Sequence, residues 1–148
     1  MHETFYGTDR SRTFFHGHSY TANPLGCAAG IASLKIFESE PVFARIAAIE
    51  EMHNARSLPL KQHPAVADIR IIGTVMALEL KADNPGYFSD IKSKLYDFYL
   101  RKGVLLRPLG NVVYVLPPYV ISTEELGYVY DVITESLDLV PQPSRRTA

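Results

Sequence analysis

The stretch VADIRIIGTVMALEL, residues 66–80, decides the architecture. β-Branched residues stand on both sides of Gly73, and Met76, Leu78 and Leu80 alternate with Val75, Ala77 and Glu79. A period of two marks extended chain with one face inward, and the glycine marks a tight turn or bulge, so two strands are predicted, joined at Gly73. Upstream, Val42, Ile46, Ile49 and His53 recur at helical spacing after Pro41, with Glu50, Glu51 and Arg56 opposite. They predict an amphipathic helix that Pro59 stops. Before it, Asn23-Pro24 is a helix start, an Asn cap followed by a proline preset for the first turn. The helix predicted over 24–39 is apolar around nearly its whole circumference and is expected to be buried on most sides.

Downstream, Phe88, Ile91, Leu95 and Phe98 share one helical face, closed by basic residues and by Gly103 in the C′ position. VLLRP (104–108) and VVYVLP (112–117) are short apolar runs ending at prolines and read as a second strand pair. Ser122 and Glu125 have the spacing of a capping box, with Ile121 and Leu126 as its hydrophobic staple, and open a helix over 123–138. This order predicts an α+β domain with one mixed or antiparallel sheet covered on one side, and contains no βαβ run. Residues 141–148, PQPSRRTA, are expected to be a disordered tail.

With 148 residues, 47% hydrophobic and 21% charged, the chain suits one domain with its own core. A formal net charge of −1 argues against nucleic acid or an anionic membrane as partner. A single cysteine, Cys27, excludes an internal disulfide. The N-terminus lacks the apolar core of a signal peptide, and no stretch approaches the ~18 apolar residues of a membrane span. A soluble protein of the cytoplasm is expected.

Four features bear on chemistry. His16 and His18 are two apart but lack a third ligand nearby, and His53 and His63 have no ligand spacing, so no metal site is expected. Cys27 lies in the first turn of a helix, where a thiolate is favoured, yet among alanines it reads better as a small buried hydrophobe. The loop Gly17-His18-Ser19-Tyr20-Thr21 offers hydroxyls and main-chain amides ahead of a helix N-terminus, which suits either an anion cradle or ordinary capping. Arg107 follows three apolar residues in what reads as a buried strand and precedes a proline. Its fork needs an anion, either a carboxylate of the chain such as Glu79 or that of a substrate.

The string FFHGHSYTANPLGCAAGIASL (14–34) closely resembles the segment that follows the cofactor lysine in class III, pyridoxal-phosphate-dependent aminotransferases. Together with VLLRPLGNVVYVLPPYVIS (104–122), it is most similar to the biotin-pathway branch of that family, and the resemblance runs from about residue 4 to residue 140. It implies the C-terminal portion of a fold type I transferase: a linker and interface loop over 1–22, a small domain with its leading helices over 23–140, and the tail over 141–148. It further implies a homodimer with pyridoxal 5′-phosphate as cofactor. The implied reaction transfers an amino group from S-adenosylmethionine to 8-amino-7-oxononanoate, giving 7,8-diaminononanoate.

By the same resemblance His18 and Ser19 contact the cofactor, Ser19 standing where the family usually has threonine. Gly17 borders the substrate pocket, and Arg107 binds the keto acid's carboxylate. The family's Schiff-base lysine and the aspartate that pairs with the pyridine nitrogen precede the matched region, and no lysine here stands in the corresponding context. The chain alone is therefore expected to be a fragment without catalysis. Other readings are a class III enzyme of the ω-amino acid or ornithine type, and a non-catalytic dimerising domain.

Overall fold

The computed structural model describes residues 2–82 and 91–140. The chain forms two compact units, Met1–Glu40 and Pro41–Ala148. In the first, helix α1 (His2–Phe5) and a 3-10 turn (Arg10–Arg12) capped by Asp9 precede the polar loop, and the Phe5 and Phe14 rings lie 5.6 Å apart. Helix α2 (Pro24–Ser39) then begins where Asn23-Pro24 predicts.

The expectation that α2 is buried on most sides is corrected, because only Phe37 is even half-buried and Leu25 and Leu34 are 82% and 66% exposed. All-round apolarity records what a helix has to cover, not whether its own chain supplies the cover. Cys27 is correspondingly exposed, against its reading as a buried hydrophobe.

The second unit holds the core. Strands β1 (Val66–Ile72) and β2 (Val75–Leu80) pair antiparallel around the two-residue turn Gly73-Thr74, with Gly73 at φ +52°. Strand β3 (Val112–Val115) adds antiparallel to β2, giving the order β1-β2-β3. Met76, Leu78, Leu80, Val113 and Val115 form the buried face. On the other face Arg70 pairs with Asp68 at 2.7 Å and with Glu79 at 2.9 Å. The sheet is covered on one side, and the domain is α+β.

Helix α3 (Val42–Leu60) packs against β1, and α5 (Thr123–Ser136) packs against both α3 and α4 (Ile91–Arg101). Pro59 does not stop α3 but sits in its last turn, which the Lys61 N–H closes onto Ser57 O. Proline removes one donor there, and the exposed end of the helix tolerates the loss. Ile91 and Leu95 of α4 are buried as its periodicity predicts, whereas Phe88 lies outside the described residues, as does the 141–148 tail. The capping box at Ser122 and Glu125 forms in both directions. Helix α5 ends two residues earlier than its pattern indicates and passes into a 3-10 turn, Leu137–Leu139.

The core encloses polar contacts too. His53 is fully buried between α5 and the β1-β2 turn, its Nε2 3.1 Å from Thr74 O and its Nδ1 2.7 Å from the Tyr130 hydroxyl. A carbonyl only accepts, so Nε2 carries the proton and Tyr130 donates to Nδ1. One helical turn earlier, Glu50 Oε1 accepts the Gly73 N–H at 3.0 Å.

Candidate functional site

Each unit carries a candidate site. In the first, a turn over Ser19–Ala22 precedes α2. Thr21 N–H donates to His18 O at 2.9 Å and Asn23 N–H to Tyr20 O at 3.0 Å, with Ala22 at φ +56°. His18 is spent locally, because its Nδ1 accepts the Tyr20 N–H at 3.1 Å and its ring stacks on that of Tyr20 with centroids 5.1 Å apart. A histidine whose nitrogen caps its own turn orients the loop and is poorly placed to offer that nitrogen to a ligand.

The first amides of α2 are also taken, since Asn23 Oδ1 accepts from Leu25 N–H at 3.0 Å and Gly26 N–H at 3.1 Å. What stays available is the loop itself. The N–H groups of Gly17, His18 and Ser19 and the Ser19 hydroxyl have no partner among the described residues, and a Cβ at Gly17 would meet nothing within 4 Å. Three consecutive amides beside a hydroxyl, with open space over a glycine, fit the oxygens of a phosphate group.

In the second unit, the chain leaving α4 through Gly103 (φ +73°) runs without regular structure over 104–108, turns at Leu109-Gly110 and returns as β3. The expected second strand pair is corrected here. Only Leu109 and Val112 bridge, because Pro108 has no N–H and the Leu106 N–H turns back to Val104 O at 3.1 Å. The two arms therefore splay, and between them and the outer face of α5 lies a groove of about 980 Å³. Its walls are mostly apolar, with Leu105 and Leu116 71% and 60% exposed.

Arg107 lines this groove, and the expectation of a guanidinium in a buried strand is corrected: Val104, Leu106 and Pro108 turn inward while Leu105 and Arg107 turn out. Among the described residues Arg107 has no ion pair, and Glu79, the internal partner considered for it, is held by Arg70. Glu124 and Glu125 also line the groove, but Glu125 accepts the Ser122 N–H at 2.9 Å in the capping box. Tyr128, which sequence reasoning passed over, stands in the same wall with its hydroxyl donating to Lys102 O at 2.8 Å. Its one signal was its position beside the inward-facing Val129 and Tyr130. An exposed guanidinium beside an apolar trough, with no paired anion among the described residues, is equipped to grip a carboxylate and shelter hydrocarbon.

The family pattern Aminotransferase class-III matches residues 2–137. The chain belongs to the class III aminotransferases. It is 42% identical over 139 residues to the adenosylmethionine-8-amino-7-oxononanoate aminotransferase of Synechococcus elongatus, covering 93% of this chain and 32% of that protein. The enzyme of the same name from Helicobacter pylori is 36% identical over 148 residues, with the same two coverages. Among solved structures, the aminotransferase of that name from Methanocaldococcus jannaschii superposes with a TM-score of 0.79 at 31% identity, over 94% of this chain and 33% of that one. A pyridoxal-phosphate-bound amine transaminase from an uncultivated Pseudomonas species gives 0.76 at 27% identity, over 91% of this chain and 32% of that one. This class III chain thus has the fold of part of a pyridoxal-phosphate-dependent transaminase and spans about a third of the length of the curated relatives it matches.

Proposed function

We propose that this chain is the C-terminal, substrate-binding part of an aminotransferase of biotin synthesis, one that moves an amino group from S-adenosylmethionine to 8-amino-7-oxononanoate and yields 7,8-diaminononanoate. The observation that carries the reading is Arg107, an exposed guanidinium on the rim of an apolar groove with no ion-pair partner among the described residues. A keto acid with a carboxylate at one end and a hydrocarbon chain behind it presents the two chemistries found there. The similarity to relatives of that activity, at 42% identity in one case, supports the same substrate pair.

Ser19, with the amides of Gly17 and His18, would hold the phosphate of pyridoxal 5′-phosphate, and His18 keeps the loop in shape through Tyr20. When bound, that cofactor supplies the electron sink for amino transfer. Gly17 lets main chain approach the bound molecules because no side chain intervenes. The Schiff-base lysine belongs to the part of the enzyme outside the resemblance, so the chain by itself is catalytically silent. The apolar surface of α2 is covered in a homodimer, and the assembled enzyme works in the cytoplasm.

A domain-exchange chimera tests this. Residues 2–140 replace the matched third of the Synechococcus elongatus enzyme, and the product is assayed with pyridoxal phosphate, S-adenosylmethionine and 8-amino-7-oxononanoate. The chimera is expected to form 7,8-diaminononanoate. A folded chimera that binds the cofactor and aminates a different acceptor in preference would overturn the assignment.

A further inference from the structure

We infer that Asn111 is a positioning residue for Arg107, holding the arginine on the groove rim by clamping the turn that follows it to the end of β2. The inference rests on the reading of Arg107 as the carboxylate-binding group. Asn111 is a polar side chain only 3% exposed, four residues beyond the arginine. Its main-chain carbonyl accepts the Leu80 N–H at 2.8 Å, and its side-chain Nδ2 donates to the Leu80 carbonyl, also at 2.8 Å. The two bonds extend the β2-β3 ladder one rung past Glu79 and Val112. In a continuing strand the second bond would come from a main-chain N–H; here Gly110, at φ +64°, swings the chain away and the side-chain amide takes its place.

The rung matters to the arginine because of what lies between them. Leu106 and Pro108 are buried on either side of Arg107, and a residue before proline is confined to extended backbone. The Leu109-Val112 bridge closes the turn, and Asn111 fastens it to the sheet. Main chain at Arg107 is thereby fixed from both directions while its side chain alone is free to meet a ligand. Main-chain and side-chain donors are not interchangeable here: without the Nδ2 group, the Leu80 carbonyl loses its partner and the turn is tied down by one bond instead of two.

The chimera tests this by enzyme kinetics, and the 148-residue chain by hydrogen exchange. Asn111→Ala is expected to raise KM for 8-amino-7-oxononanoate roughly tenfold, with kcat within about twofold, because a looser fork weakens binding before it touches chemistry. Asn111→Ser, which keeps a short donor, should recover part of the loss. In an Arg107→Ala background, adding Asn111→Ala should change KM by less than about twofold, since the residue through which it acts is gone. In the 148-residue chain Asn111→Ala should speed exchange of the Leu80 amide while the Leu95 and Tyr130 amides keep their rates.

An equal rise in KM in both backgrounds, or an unchanged Leu80 amide, overturns the inference. If Arg107→Ala itself leaves KM unchanged, the carboxylate reading fails. If Arg107→Ala raises KM and Asn111→Ala does not, only the positioning role fails. Should Asn111→Ala not fold in the chimera, Asn111→Ser takes its place in the cycle with the same two criteria.

Discussion

Replacing His53 probes the polar contacts that join α3 to α5 and to the β1-β2 turn. Removing the ring in His53→Ala takes a hydrogen-bond partner from two buried groups, the Thr74 carbonyl and the Tyr130 hydroxyl. At ~1–3 kcal/mol for each group that loses its partner, the loss is ~2–6 kcal/mol before any cavity term, against a usual total of ~5–15. His53→Gln is milder and better suited to the pH experiment.

Burial lowers the pKa of His53 from its ordinary 6.5, opposed by the bond to Thr74 and by the charge of Glu50. Glu50 is partly occupied by the Gly73 N–H, and Arg56, 5.8 Å over the Tyr130 ring and paired with Asp131, adds a positive charge on the far side. The folded ring is thus neutral where the unfolded one is already protonated. Its contribution is complete above pH ~6.5 and is lost as pH falls below that value, by up to ~1.4 kcal/mol per pH unit, until the folded-state pKa is reached.

Urea denaturation followed by far-UV circular dichroism at pH 7.5 and pH 5.5 measures this. The stability gap between wild type and His53→Gln should narrow at the lower pH, by no more than ~1.4 kcal/mol per pH unit. A gap that stays constant or widens on acidification would mean that folding does not disfavour the protonated ring, and would refute burial as the force that lowers its pKa.

Other outcomes follow from the same contacts. In the chimera, Arg107→Ala should cost the ~1.5–3 kcal/mol of a charge-assisted contact, a ten- to two-hundred-fold loss of keto-acid affinity, and Arg107→Lys should recover only part because an ammonium lacks the planar fork; normal affinity with a lower melting temperature would make Arg107 structural. Ser19→Ala should weaken cofactor retention by a similar ~1.5–3 kcal/mol, read from the free pyridoxal phosphate needed to restore absorbance. The 148-residue chain mixed with pyridoxal phosphate and borohydride should show scattered lysine labelling by mass spectrometry, and saturable labelling of one lysine would refute its catalytic silence. Ser122→Ala should lower the unfolding free energy by the ~1 kcal/mol typical of a lost cap, read as a lower urea midpoint with an unchanged slope.

What the sequence made legible was local. Gly73 between alternating apolar residues, Asn23 before Pro24, and Ser122 three residues before Glu125 each state their geometry within a few positions, and each formed as expected. The splay of the 104–107 arm was not legible, because it depends on Leu106 turning its amide to Val104 beside a proline that has none. That misreading placed Arg107 inside a strand. The role of His53 was hidden for another reason, since its partners lie 21 and 77 residues away and only the folded core brings them together. Composition showed that α2 needs cover, yet the identity of the cover is a tertiary fact that periodicity does not encode.

Helix α2 makes the order of the first unit conditional. Sixteen residues are marginal for a helix standing alone in water, and Gly26 and Gly30 each cost ~1 kcal/mol relative to alanine. None of its side chains is buried to offset that cost. A helix so exposed is held mainly by its Asn23 cap, so its amides should exchange far faster than those of α3. In the homodimer proposed above, covering α2 would slow that exchange, while the second unit, whose core is its own, would keep its rates.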